Sequence, residues 1–339
     1  MTRLAASVAF VLVMAGCAHP APAPLTCRLP VTVQSGDGNG VTFQGGFIDF
    51  PALTLAPDPA GRLRDEPLQL DFATVATPTL RGQPFSPEGG VPFYDSAVRR
   101  WLPASAAQST SDGAAYAWGS TSASTQTAEV HIVDARTGAE RIFPAAAAGY
   151  QVSILDFAPA GVYLSSVSGI GGPSRGLWLL DPTSGKLTDL KQPDFAFGVR
   201  NGYLWSGSHT GPPTHEEYSP ADTLYKVDLS SGARTTWYKG HKPISLMGFD
   251  GHDNPVLAGP YQKPAQSGEI RSVDAAGSDG LLISTGGPFT SALGDGDRIW
   301  FGSPDGIYRY QAGSGLRKVF AFAGVAQLRE EINPAGFCR

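Results

Sequence analysis

Between residues 130 and 320, hydrophobic and polar positions alternate in short runs broken by polar clusters at regular intervals. The segments VHIVDARTGAERIF (130–143), LWLLDPTSGKLTDL (177–190), LYKVDLSSGARTTW (224–237) and IRSVDAAGSDGLLI (270–283) each read as strand, tight polar turn, strand. Alternation with period two marks a strand whose faces differ. Asp, Ser and Gly between two such runs tolerate the positive φ of a hairpin turn. Weaker copies flank the series: PFYDSAVRRWLP (92–103) before it and GIYRYQAGSGLRKVF (306–320) after it. The turn aspartates are Asp95, Asp134, Asp181, Asp228 and Asp274, spaced 39, 47, 47 and 46 residues apart, and Gln311 follows 37 further on. Another strand precedes each hairpin, in SDGAAYAWGS (111–120), PAGVYLSSV (159–167), RNGYLWSGS (200–208), GHDNPVLAGP (251–260) and DGDRIWFGS (295–303). A still earlier one is readable in QVSILDF (151–157), ISLMGF (244–249) and FTSALG (289–294). Four strands repeating at this interval are the mark of a propeller blade.

The expected fold is therefore all-β: a single six-bladed β-propeller over residues 27–339, with four-stranded antiparallel blades. The first unit, about 40–103, is irregular and holds GGFIDFPALTLAP; seven blades is the alternative, with a degenerate unit hidden there. The tail VAQLREEINPAGFCR (325–339) is too short for a blade and is expected to add a strand to the first one, closing the ring. That closure would bring Cys27 and Cys338 together as a disulfide, the alternative being two unpaired thiols. A bridge closing a loop of that length stabilises by roughly 5–6 kcal/mol in the chain-entropy picture. Trp118, Trp205, Trp300 and Tyr163 sit on the second strands of their units and read as blade-to-blade packing. Asp134, Asp181, Asp228 and Asp274 recur by symmetry and are expected to bond their own turns. Asp250–Asn254 and Asp295–Asp297 superficially resemble calcium loops, but both lack the downstream Glu and read as turn chemistry.

Composition narrows the classes further. Gly (42) and Pro (28) make about a fifth of the 339 residues, and only 16% are charged, which argues against helix bundles. The 42% hydrophobic content is enough for a core, so the chain is not disordered. A net charge of −5 offers no basic footprint for nucleic acid. At the N-terminus, Arg3, an apolar run from Leu4 to Met14 and the small exit Ala15-Gly16 form a secretory signal over residues 1–16, too short to span a membrane. Val13-Met14-Ala15-Gly16-Cys17 resembles the lipobox of bacterial lipoproteins, with Met14 where Leu is commonest. The resemblance implies cleavage before Cys17, lipidation of its thiol and a place at the outer face of a bacterial membrane, in the cell envelope; the alternative is ordinary secretion. Residues 17–26, with AHPAPAP, read as a semi-rigid tether.

The repeats also resemble known families. GDRIWFGSPDGIYRY (296–310) is similar to one repeat of two-component-regulator propellers, departing from it at Asp297, where that family has Gly. The middle units resemble quinoprotein-like and streptogramin-lyase-like propellers, of the broad WD40/YVTN-like kind, through their x-D-x-x-[ST]-G turns. These resemblances imply a fold and carry no activity.

Function is expected on one face. The turns within each hairpin are short and stereotyped, whereas the connections between second and third strands, 119–129, 166–176, 207–223 and 259–269, are long and irregular. Elaborated loops on one side of a rigid scaffold are where binding usually resides. The candidate ligand-binding residues are Arg175, His209, His215, Glu216, Tyr218, His241, Lys242, Tyr261 and Lys263, which suit a polar or anionic ligand. His215-Glu216 has no second His at helical spacing, so no zincin pattern exists. No catalytic or metal-ligating residue is assigned and no cofactor is expected, with Ca or Zn left open. The favoured function is a membrane-anchored, non-enzymatic propeller that binds an envelope protein, a glycan or a small molecule. The competing one is a propeller-type lyase or lactonase with a channel metal or a His base.

Overall fold

The computed structural model describes residues 25–36, 41–65, 79–80, 83–84, 92–122, 124–125, 127–149, 151–167, 174–192, 195–208, 221–240, 243–259, 268–287, 289–324 and 330–339. Among them there is no α-helix. The strands are β1 (Arg28–Gly36), β2 (Val41–Asp49), β3 (Thr54–Asp65), β4 (Thr79–Leu80), β5 (Gln83–Pro84), β6 (Phe93–Asp95), β7 (Arg100–Leu102), β8 (Ala115–Thr121), β9 (Ala128–Asp134) and β10 (Glu140–Pro144). They continue with β11 (Val152–Ala158), β12 (Gly161–Val167), β13 (Ser174–Leu180), β14 (Leu187–Asp189), β15 (Phe195–Arg200), β16 (Tyr203–Ser208), β17 (Thr223–Asp228), β18 (Arg234–Lys239) and β19 (Ser245–Phe249). The last are β20 (Pro255–Ala258), β21 (Ile270–Ser272), β22 (Leu281–Ser284), β23 (Ser291–Asp295), β24 (Arg298–Ser303), β25 (Gly306–Gln311), β26 (Gly315–Ala321) and β27 (Glu331–Pro334). Consecutive strands pair antiparallel within β8–β10, β11–β14, β15–β18, β19–β22 and β23–β26. These are the meandering sheets of a β-propeller, and they carry the repeats seen in the sequence.

Asp95, Asp134, Asp181 and Asp228 hold their hairpin turns by accepting backbone N–H groups two or three residues on. Asp134 accepts from Arg136 (3.0 Å) and Thr137 (2.7 Å), and Asp228 from Ser230 (2.8 Å) and Ser231 (3.1 Å). Asp181 accepts from Thr183 at 2.8 Å, and Asp95 from Ala97 at 2.7 Å. Gly138, Gly185 and Gly232 then take φ of 72–74°, which a side chain would strain. Asp274 departs from the set: its turn is tied outward, with the Gly277 N–H donating to the Trp237 carbonyl at 2.9 Å. Asp250 accepts from the N–H groups of His252 (2.8 Å) and Asn254 (2.9 Å), as turn chemistry requires.

The sheets are apolar on both faces. Ala117, Val130 and Ile132 pack on Val152, Val162 and Leu164; Tyr163 and Leu177 on Ala196, Leu204 and Val227; Trp205 and Leu224 on Leu257 and Val273. Val256 and Ile270 pack on Ile299 and Phe301, and Trp300 and Ile307 on Leu29, Val31 and Ile48. Phe43 and Phe47 meet Trp101, and Leu102 meets Tyr116 and Trp118. The second-strand aromatics are thus core, Trp300 and Trp205 being at most 2% exposed. A β-bulge sits at the same place in three first strands, at Leu155, Phe197 and Met247, where one extra residue turns an apolar side chain toward the neighbouring sheet.

The N-terminal region differs from the expectation of one irregular unit over 40–103. Residues 41–65 belong to a sheet ordered β26-β25-β24-β27-β1-β2-β3, whereas β6 and β7 form a separate hairpin. β27 lies against β1, with Val31 opposite Pro334, Thr32 opposite Asn333 and Val33 opposite Ile332. The strand beside β1 therefore comes from the far end of the chain, which is why its unit could not be delimited by spacing. Cys27 and Cys338 are disulfide-bonded, with Cα atoms 5.5 Å apart. Around the bridge the Arg28 N–H donates to the Arg339 carbonyl (2.7 Å), the Arg339 N–H donates back to the Arg28 carbonyl (3.1 Å), and the Cys338 N–H donates to Asp295 (3.0 Å).

Removing a native disulfide costs about 2–5 kcal/mol. Cys338→Ser is expected to lower the melting temperature by several degrees and to speed amide exchange at Ile332 and Asn333, the residues that the bridge holds on β1. Unchanged melting and exchange would show that the sheet holds β27 unaided.

Candidate functional site

Of the sequence-predicted ligand residues, His209, His215, Glu216, Tyr218, His241, Lys242, Tyr261 and Lys263 lie outside the described residues, as does Cys17. The backbone of Arg175 is in β13, paired with Phe195 at the start of β15; its side chain is outside the described set. The pairs Val167–Ser174, Ser208–Thr223 and Ala258–Ile270 close their strand pairs at one end of the sheets, opposite the hairpin turns. The three long connections therefore leave from one common end.

The described polar groups at that end centre on β27. Asn333, 2% exposed, accepts at Oδ1 from the hydroxyls of Thr290 (2.8 Å) and Ser291 (2.5 Å) and donates through Nδ2 to Glu331 (3.3 Å). Burial raises the Glu331 carboxyl above its ordinary value, against the opposing effect of that Asn333 hydrogen bond.

A second buried carboxyl lies on β11. Asp156 directly follows the bulged Leu155, and burial pushes it up to about 6, more than the nearby positive charge of Arg200 pulls it down. Arg200 is engaged elsewhere, with Nε 2.6 Å from Asp253, whose other oxygen accepts from Asn201 at 2.6 Å.

A third arrangement runs across β8, β9 and β10. The Ser120 hydroxyl is 2.7 Å from His131 Nε2, and His131 Nδ1 is 2.9 Å from Glu140. The Trp118 ring stacks on the imidazole with centroids 3.6 Å apart and planes 9° from parallel. Ser120 is half-buried, His131 buried and Glu140 exposed. Burial pushes His131 below 6.5, outweighing the hydrogen bond and charge of Glu140 and the charge of Glu129. The imidazole is thus neutral near pH 7. Glu140, an acceptor only, fixes the tautomer: Nδ1–H donates to Glu140, and Nε2 accepts from Ser120. The indole N–H of Trp118 is buried without an acceptor among the described residues.

Sequence reasoning missed Asp156, Glu331, Asn333 and the Ser120–His131–Glu140 chain. His131 reads there as an ordinary polar position of a strand, and only the register, with His131 opposite both Trp118 and Ile142, brings the chain together. Among the described residues no group of three His, Cys, Asp or Glu could hold a metal ion.

Asp156 yields a signed prediction. Its folded value, about 6, lies above the ordinary 3.8, so the group contributes nothing below pH 3.8, where both states are protonated. Stability is lost as pH rises from 3.8 to about 6, where the unfolded state ionises and the folded state stays protonated, by roughly 3 kcal/mol at most, and the loss is constant above 6. Asp156→Asn should therefore raise the melting temperature at pH 7.5 and leave it unchanged near pH 3.5. Equal melting of the two proteins at pH 7.5 would contradict the assignment.

No protein-family model and no curated protein matches the chain. Among solved structures it is similar to TolB from Acinetobacter baumannii, at 10% identity and a TM-score of 0.45, over 92% of this chain and 65% of that one. It is also similar to the tricorn protease, at 12% and 0.44, over 88% of this chain and 27% of that one. A third is the β-propeller domain of the Trilobed protease from Pyrococcus furiosus, at 11% and 0.46, over 88% and 84%. The chain spans less than two thirds of the length of the TolB and tricorn chains. At these identities the likeness concerns fold alone and assigns no activity.

Proposed function

We propose that the chain is a ring-closed propeller, exported and held at the outer face of a bacterial membrane by lipid on Cys17, that binds a protein, a glycan or a small polar ligand at the end of the ring carrying the long connections. The observation that carries this reading is the asymmetry between the two ends. The turns 159–160, 201–202 and 296–297 between first and second strands are two residues long, and the hairpin turns are closed by their own aspartates. At the other end, 168–173, 209–222 and 259–269 separate second from third strands in three successive sheets. Chain length that a scaffold does not need gathers where a ligand is met.

Ring closure is supported by the order of the apolar clusters, each joining one sheet to the next and the last joining β24 and β25 to β1 and β2. The β6–β7 hairpin supports a count of seven units over six. It has an aspartate-held turn of the repeating kind and contributes Trp101 to a cluster on one side and Leu102 to a cluster on the other. No helix among the described residues is long and apolar enough to cross a membrane, so the lipid on Cys17 is the anchor in this reading.

Two measurements test it. Cys17→Ser should move the exported protein from the membrane to the soluble fraction and abolish metabolic labelling with palmitate; unchanged partition would refute the anchor. For the binding end, purified protein would be titrated against immobilised envelope extract. The triple change of His215, Glu216 and Tyr218 to Ala, or the double change of Tyr261 and Lys263 to Ala, should cut retention at least tenfold. Each substitution should alter stability by only about 0.5 kcal/mol. Loss on changing Arg136, Lys186 and Arg234 at the hairpin turns, with the loop variants unaffected, would place binding at the opposite end.

A further inference from the structure

We propose that Ser120, His131 and Glu140 form a nucleophile, base and orienting carboxylate, giving the β8–β10 sheet a hydrolytic activity toward carboxylic esters. The proposal rests on connectivity and on two further observations. The hydrogen bonds run Ser120 to His131 Nε2 (2.7 Å) and His131 Nδ1 to Glu140 (2.9 Å), so one imidazole joins a hydroxyl to a carboxylate through its two opposite nitrogens. This is the connectivity that activates a serine, and it is recognised by geometry and roles rather than by fold. The first further observation is the exposure gradient. The imidazole is shielded by Trp118, while Ser120 is half-buried at the end of β8, two residues from the connection to β9. The second is the buried Trp118 N–H, which has no acceptor among the described residues although its ring stacks on the base. An unmet buried donor is costly to retain in a folded protein.

In the reaction the Ser120 Oγ forms a bond to the ester carbonyl carbon while its proton passes to His131 Nε2. The tetrahedral intermediate collapses with cleavage of the bond to the leaving alkoxide, which takes that proton from His131. A water molecule then attacks the acyl-serine along the same route, releasing the carboxylic acid and restoring Ser120 and neutral His131. Glu140 is a positioning residue: it holds the tautomer and favours the transient imidazolium. The charged and titratable groups that bear on His131 and its neighbours are Glu140, Glu129, Tyr116 and Arg100.

The test uses the full folded chain, with a fluorophosphonate probe for the serine and p-nitrophenyl acetate for turnover. Mass spectrometry should find one adduct, on Ser120. Ser120→Ala should abolish labelling while leaving the circular dichroism of the folded protein unchanged, with melting lowered only by the loss of the hydrogen bond to His131. His131→Gln should cut the labelling rate by about 10²–10⁴-fold. Glu140→Gln should lower turnover and shift the midpoint of its pH profile downward, because the carboxylate that favours the imidazolium is gone. That shift is a readout a structural role would not move. The wild-type rate should rise with pH and reach half its plateau below pH 6.5, as a base weakened by burial requires. No adduct on the folded protein at millimolar probe, an adduct on another serine, or labelling that survives Ser120→Ala would overturn the proposal and leave the three residues as a cross-strand tie.

Discussion

A sheet that is apolar on both faces cannot be the last in a row, and the strand groups β8–β10, β11–β14, β15–β18, β19–β22 and β23–β26 are built that way. In β16 the neighbours Leu204 and Trp205 point to opposite sides and are buried in different clusters, because successive strand residues face opposite ways. An open stack would expose two terminal faces, each an association hazard. Trp300 and Ile307 lie against Leu29, Val31 and Ile48, β27 joins β1, and the Cys27–Cys338 bond ties the two ends of the chain together. The repeated turns and the glycine approaches between neighbouring sheets are subordinate to that condition. At one such approach a Cβ on Gly251 would come within 1.8 Å of the Gly296 carbonyl oxygen, so two adjacent turns abut with no room for a side chain.

What could be read from the sequence was what repeats. The turn aspartates, the four-strand period and the second-strand tryptophans announce themselves because each blade solves the same local problem with the same residues. What does not repeat was hidden. The N-terminal unit looked irregular because the strand beside β1, Glu331–Pro334, is contributed from the other end of the chain. The hairpin at Phe93–Leu102 was visible, but its independence from residues 41–65 was not, since that depends on Trp101 packing against Phe43 and Phe47 rather than pairing with their strands. The Cys27–Cys338 pairing was legible because a tail strand added near the start of the chain brings the two cysteines together. Ser120, His131 and Glu140 were not, because their spacing of 11 and 9 residues means nothing until the register of three strands is known.

The aspartates divide by what the scaffold asks of them. Asp134, Asp181 and Asp228 are half-buried residues held below the usual carboxylate range, Asp134 chiefly by the Thr137 N–H, Asp181 by the Ser184 hydroxyl and Asp228 by the Ser230 hydroxyl. Their ionised form does structural work, so acid weakens the turns as pH falls through their lowered values. Asp156 is of the other kind: burial raises it, and ionisation there opposes folding.

The place of Asp156 sharpens that contrast. In the first strands of the next two sheets, the residue after the bulge is Gly198 and then Gly248. At Gly248 the reason is steric, since a Cβ would stand 2.5 Å from the Ala292 carbonyl oxygen. At Gly198 a Cβ would meet the Leu246 side chain at 3.6 Å and the Phe249 ring at 3.9 Å, ordinary contacts. The bulge therefore does not itself demand glycine; the approach of the next first strand does. Where that approach is looser the position is free to carry a side chain, and in β11 it carries one that folding alone would not select. Marginally stable proteins retain such costs where activity or recognition uses them. Asp156, Glu331 and the chain from Ser120 to Glu140 are thus the described places where this sequence departs from what its repeating scaffold requires.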